Sequence, residues 1–396
     1  VFQKSHSVLK YLTRTIWVLS LVSLFTDISS EMLYPVMPLF LQSIGFSSVL
    51  IGILEGVAEA TAGLSKGYFG RWSDAAGKRL PFVQWGYWLS ALSKPMMAVL
   101  TYPWWIFSAR TLDRLGKGIR TGARDAILSD ETTPETKGRV FGFHRAMDTL
   151  GAAIGPLAAL VYLSFYPGQY KTMFVLAFIP AVVAGLCTLL ITEKPKALPA
   201  EQKPSFRLSQ TFNYLPEAPK AYRQLIFVLL LFTLFNSSDL FLLMRIKQAG
   251  YSDDYVIGSY ILYNLIYALA AFPLGKLADT IGFKKTLLLG LGTFALVYTG
   301  FGLNNSLYGF VVLFALYGVY AAATEGVSKA LISNIVSKNE TASALGTYAG
   351  LNSITALAAS TTAGVLWHYV SPEAVFLFSA AGSLTAAFLL WRLKTV

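Results

Sequence analysis

The sequence predicts an all-α polytopic membrane protein, with twelve transmembrane helices in two pseudo-symmetric six-helix bundles. Three observations predict it. Hydrophobic residues make up 55% of the 396-residue chain and charged residues 13%, with a mean hydropathy of +0.54. A soluble protein needs about a quarter of its residues charged to coat its surface. The apolar residues also come in blocks, such as 173–191 and 375–390. These approach the roughly 20 residues that cross the hydrocarbon, where only a helix satisfies its own backbone. Finally, a segment at 70–79 returns at 275–285, so the chain is built twice.

The blocks and the turn signals between them place the spans at 16–41, 49–69, 80–100, 104–126, 139–165, 172–191, 225–247, 255–274, 286–303, 307–333, 342–368 and 373–393. The domains follow: an N-terminal cytoplasmic segment (1–15), a six-helix bundle (16–191), a linker (192–224) and a second bundle (225–396). One set of connectors carries Arg71, Lys78, Arg79, Lys137, Arg139, Lys284, Lys285 and Lys338. The alternate set (42–48, 102–104, 303–306) is nearly free of basic residues, with Lys171 and Lys247 as exceptions. Basic loops stay in the cytoplasm, so both termini are expected there, in the cytoplasmic (inner) membrane of a bacterium. The linker holds Pro195, Pro199, Pro204, Pro216 and Pro219, which favour an extended chain. A short surface helix is expected around 206–214.

The net charge of +11 is accounted for by those loops, so no nucleic-acid partner is expected. The single cysteine, Cys187, excludes a disulfide, and His6, His144 and His368 lie far apart. No metal site and no cofactor are therefore expected. G-x-S-x-G, H-E-x-x-H and Walker patterns are missing, which argues against a membrane-embedded enzyme.

The repeated segment reads Gly70-x-x-x-Asp74-x-x-Gly77-Lys78-Arg79 in the first half and Gly275-x-x-x-Asp279-x-x-Gly282-Phe283-Lys284-Lys285 in the second. Ala126–Ser129 likewise recurs as Ala330–Ser333. The segment resembles motif A of the major facilitator superfamily, over a repeat that covers the whole chain. The resemblance implies that family's fold, alternating access, a small-molecule substrate, a lipid-bilayer setting and a gating role for the motif. The arginine usual after the aspartate is Ala75 or Thr280 here. In span four, Arg110-x-x-Asp113-x-x-Gly116-x-Gly118 resembles motif B, linked in the family to proton coupling; an ion pair that only orients the helix is the alternative. In span five, Gly151-x-x-x-Gly155-Pro156-x-x-Ala159 resembles motif C of drug–proton antiporters, although small residues at this spacing also serve close helix packing.

Charges inside spans are expensive and hence functional candidates. Asp27 and Glu31 in span one are one helical turn apart on one face. Neighbouring carboxyls suit a group that takes up and releases protons. Pro35 and Pro38 should bend the outer end of that helix. Asp27, Glu31, Arg110, Asp113, Arg145 and Asp148 are the candidate proton-coupling residues. Span seven echoes span one with Ser237-Ser238-Asp239, and Asp27, Glu31, Tyr34, Asn236, Asp239, Tyr263, Tyr267 and Glu325 are the candidate substrate contacts. Arg145 with Asp148, and Glu325 with Lys329, also fit cytoplasmic ion pairs. The leading expectation is a monomeric proton-coupled exporter of a small solute. A proton-coupled importer of a nutrient is the runner-up. A cavity with more acids than bases would favour a cationic or zwitterionic solute, unless the acids serve only protons.

Overall fold

The computed structural model describes residues 12–132, 137–193, 214–336 and 341–393; among these the chain is helical nearly throughout and forms no strand. Residues 1–11 and most of the linker, including all but Tyr214 of the helix expected around 206–214, lie outside the described residues. The helices of the first half are α1 (Arg14–Leu33), α2 (Met37–Ser43), α3 (Ser48–Ala75), α4 (Leu80–Val99), α5 (Pro103–Asp130), α6 (Lys137–Phe165) and α7 (Tyr170–Thr188). A single turn, α8 (Tyr214–Glu217), precedes α9 (Lys220–Phe235), α10 (Leu240–Gln248), α11 (Asp253–Ile281), α12 (Phe283–Leu303), α13 (Leu307–Ile335), α14 (Thr341–Tyr369) and α15 (Pro372–Arg392). With α2 continuing α1 and α10 continuing α9, these make twelve membrane-length segments. Among the described residues, eight are apolar and long enough to cross a membrane by composition alone. α5 is not one of them, because its inner face is a row of charges.

The first pass of each half is broken. Thr13 caps the start of α1 by accepting from the Ile16 amide. Its end is set by Pro35, which has no N–H to donate, while Pro38 sits in the first turn of α2. α9 stops at Asn236, whose backbone turns extended, and α10 resumes after Asp239. Both breaks fall beside the acidic residues that mark these spans.

The chain forms two compact units. The first comprises Val1–Tyr34 and Thr61–Phe206, the second Pro35–Ala60 and Arg207–Val396. α3 is thus divided at Ala60. Its N-terminal half packs within the second unit, where an added Cβ at Gly52 would strike the Ser360 carbonyl of α14.

The core of the first unit joins Ile16, Leu19 and Val22 of α1 to Val83 and Tyr87 of α4, Ala123, Ile127 and Leu128 of α5, Val140 of α6 and Ala184 of α7. Two crossings bring backbones together. Gly86 of α4 and Gly116 of α5 face each other, and a Cβ on Gly116 would lie 2.6 Å from the Gly86 carbonyl oxygen and 2.9 Å from the Ser90 amide nitrogen. Gly151 and Gly155 of α6 pack on α1, each with a potential Cβ 2.6 Å from a backbone oxygen, of Leu24 and Ile28 respectively. Gly116→Val should therefore destabilise the protein by about 3 kcal/mol, the upper end for overpacking. Gly67→Ala, with nothing within 4 Å of its added methyl, should be tolerated. Thermal unfolding of the two purified variants checks this; equal midpoints would mean that the α4–α5 crossing is not tight.

The second unit is held by an aromatic core. Phe294, Tyr298, Phe301, Phe310, Phe314 and Phe376 are all fully buried, with Phe294 stacked on Tyr298 at a centroid distance of 3.9 Å.

Candidate functional site

α5 carries Arg110, Asp113, Arg114, Lys117, Arg120 and Arg124 at spacings of three and four, which places them along one side of the helix. The Gly86–Gly116 crossing holds that side against α4. Lys94, only 2% exposed, reaches Asp113 with Nζ 2.8 Å from Oδ1. The Ser90 hydroxyl donates to the same carboxylate, and Arg110 Nη1 approaches its other oxygen at 3.7 Å. Charges this deep persist only when paired and hydrogen-bonded, and Asp113 supplies the counter-charge for two cations. Lys94 was missed in the sequence, although a lysine inside an apolar span is itself a signal.

These groups enclose a cavity with the first helix. Asp27, Ser30, Glu31 and Tyr34 contribute from α1, Ser90, Lys94 and Met97 from α4, and Arg110, Asp113, Arg114, Lys117 and Arg120 from α5. The structure therefore brings together Asp27, Glu31, Tyr34, Arg110 and Asp113 of the expected site, and adds four cations that sequence reasoning passed over. The expectation of more acids than bases does not hold here: three carboxylates face five cations. The surplus comes from α5, whose stripe was read only as far as its motif.

Asp148 belongs to a neighbouring cluster. The Ser23 hydroxyl donates to its Oδ1, and His144 Nε2 lies 3.8 Å from that oxygen. Arg124 donates to Ser23 at 3.2 Å and pairs with Asp125 at 2.8 Å. Arg145 sits 3.7 Å from Asp148, with its side chain 68% exposed. Further along α6, Gly151 and Gly155 carry the contact with α1, and Pro156 lies inside the helix.

In the second unit the remaining candidates form a cluster of tyrosines, an amide and two acids. Tyr317 donates to Asp239 at 2.6 Å, Asn236 donates to the Tyr320 hydroxyl at 3.2 Å and Tyr267 donates to Glu325 at 3.0 Å. Tyr263 stacks near Tyr267 and Tyr317. Tyr298, Tyr317 and Tyr320 were not anticipated, because aromatic residues at helical spacing describe core and site alike.

The two repeated loops share their turn. Gly77 and Gly282 have φ of 65° and 96°, the left-handed region that disfavours side chains. Gly70 meets Gly122 of α5 closely, whereas Gly275 has nothing near its potential Cβ. Arg79 pairs with Asp130, and Glu193 accepts from the Arg79 and Leu80 amides at the start of α4 at 2.9 and 2.7 Å. Lys78 is exposed, and Lys284 donates to the Leu393 carbonyl. The side chains of Asp74 and Asp279 lie outside the described residues.

The family model of the Major Facilitator Superfamily matches residues 19–263 and 256–396. The chain belongs to the major facilitator superfamily. It is 34% identical over 397 residues to an uncharacterized MFS-type transporter of Methanocaldococcus jannaschii, covering 98% of this chain and 97% of that one. It is also 20% identical to multidrug resistance protein 2 of Bacillus subtilis over 72% of each chain. Among solved structures, the nucleoside transporter NupG matches with a TM-score of 0.78 and 15% identity, covering 96% of this chain and all of that one; this likeness concerns the fold. As a member of the superfamily, the protein is a multi-pass membrane protein that carries out secondary transport, and is not an enzyme.

Proposed function

We propose that the protein is a proton-coupled exporter of a small solute, and that Asp27 and Glu31 are the groups that exchange the proton. The observation that carries this reading is the placement of both carboxylates, one helical turn apart, in a cavity that is also lined by the buried cations Lys94, Arg110, Arg114 and Arg120. A carboxylate in such a place switches between a charged form paired with a guanidinium and a protonated form that releases it. Export is supported by the tight seating of Gly151 and Gly155 on α1, in the segment that resembles the antiporter motif, and by the likeness to a protein named for multidrug resistance. The basic loops support a cytoplasmic location of both termini and both motif A turns. A second reading, symport, is favoured by the same cations, since protonating a carboxylate frees a guanidinium for a solute that loads together with the proton.

Reconstituted vesicles separate the readings. For antiport, a solute should accumulate in vesicles that are acidic inside, and its addition should discharge the pH gradient. Accumulation only in vesicles that are alkaline inside would establish symport. Uptake indifferent to either gradient would end the proposal of proton coupling.

A further inference from the structure

The cavity of the first unit holds more positive charge than its own residues neutralise. Asp113 is engaged by Lys94 and Arg110. Arg114, Lys117 and Arg120 line the same space, to which α1 adds the carboxylates of Asp27 and Glu31. With every group ionised the lining keeps two surplus positive charges, and a proton on either α1 carboxylate leaves three. Lys117 is exposed, but Arg114 and Arg120 are 7% and 5% exposed; buried charge in excess of its counter-charge is costly, so the lining favours a further anion.

Arg120 supplies the independent observation. It is 5% exposed, its Cζ lies 4.6 Å from the centroid of the Tyr87 ring, and its Nη1 has no hydrogen-bond partner among the described residues. A buried guanidinium N–H without an acceptor costs free energy. Arg245 in the second unit shows the contrasting case, equally buried but serving structure. Its guanidinium donates to Phe301 O at 3.2 Å and Asn305 Oδ1 at 2.8 Å, and approaches Glu373 at 3.4 Å. Arg120 is pinned by an aromatic face, which fixes its plane without satisfying Nη1. A guanidinium held in this way offers a fork to an acceptor with two oxygens, a carboxylate or a phosphate.

We propose that the transported solute is an organic anion whose carboxylate or phosphate group is held in this cavity by Arg120 together with Arg114 and Lys117. The inference rests on the cavity being the transport site, but not on the direction of transport or on proton coupling. Carboxylate and phosphate present the same paired oxygens, and the test distinguishes them.

The test is thermal unfolding of the purified full-length protein in detergent at constant ionic strength, with millimolar probes. Succinate and salicylate represent carboxylates, glucose 6-phosphate and inorganic phosphate represent phosphates, choline and tetraphenylphosphonium represent cations, and uridine is neutral. Ligands that bind the folded state raise its midpoint. At least one anion should raise the midpoint by a few degrees, and the class that does so names the headgroup. Arg120→Gln and Arg114→Gln should each abolish the shift, and Arg120→Lys should retain part of it. Lys171→Gln, on the opposite connector, should leave it intact. Should Arg120→Gln not yield monodisperse protein, Arg114→Gln and Arg120→Lys carry the comparison. A shift from the cations or uridine alone, an anion shift that survives both glutamine variants, or no shift from any anion would overturn the proposal. Because no pH gradient is involved, failure here leaves proton coupling standing, and failure of the vesicle experiment leaves anion binding standing.

Discussion

Asp113→Asn is expected to destabilise the protein more than any other single substitution in the site, by about 3–5 kcal/mol, the cost of breaking a buried ion pair from one side. Lys94, Arg110 and Arg114 are 2%, 5% and 7% exposed, and Asp113 provides the carboxylate that Lys94 and Arg110 both approach. An asparagine keeps the shape and a hydrogen bond from Ser90, but it leaves these cations without their shared counter-charge. Lys94→Met should cost less, because Asp113 keeps Arg110 and the hydroxyl of Ser90. The double variant should be less destabilised than the two single effects added together, since each removes part of what the other leaves stranded. Thermal or denaturant unfolding in one detergent measures all four proteins. If Asp113→Asn unfolds with the wild type, the carboxylate does not organise the cluster, and the Arg110–Asp113 pair loses its structural role.

Neutralising the α1 carboxylates should cost transport far more than stability. Asp27 and Glu31 are half-buried beside Arg114, Lys117 and Arg120, so removing one negative charge leaves the wall cationic but intact. Asp27→Asn and Glu31→Gln should each reduce accumulation driven by a pH gradient to the level of empty vesicles. Downhill exchange of labelled for unlabelled solute should survive in at least one of them, because exchange needs the cavity and its cations but no net proton movement. Measuring both activities in the same vesicles makes the result decisive. If both variants retained gradient-driven accumulation, the coupling role would move to Asp148, which lies against His144 and Ser23, or to Asp239, which holds Tyr317.

The two clusters were not equally legible. Asp27, Glu31, Arg110 and Asp113 stood out because an ionisable residue in an apolar block is conspicuous whatever surrounds it. Lys94 had the same visibility, but it lies in a span with no recognisable motif and beside Pro95. Arg114, Lys117 and Arg120 were visible as residues, yet their meaning depended on which side of α5 faces inward. The tyrosines of the second unit carried no signal: with 21 Tyr and 27 Phe in the chain, aromatic residues at helical spacing describe core, lipid face and site alike.

Composition and repetition by themselves determined that the chain spans the membrane repeatedly and that it is duplicated. The physical reason is that the bilayer acts on each segment separately: every pass must be apolar, helical and of membrane length, whatever its neighbours do. Only the tertiary structure decided which charges meet. Lys94 reaches Asp113 because Gly86 and Gly116 let α4 and α5 approach to backbone contact. Asp27 joins them because α1 lines the same cavity. The charge balance of the site is a sum over three helices, and no segment contains it.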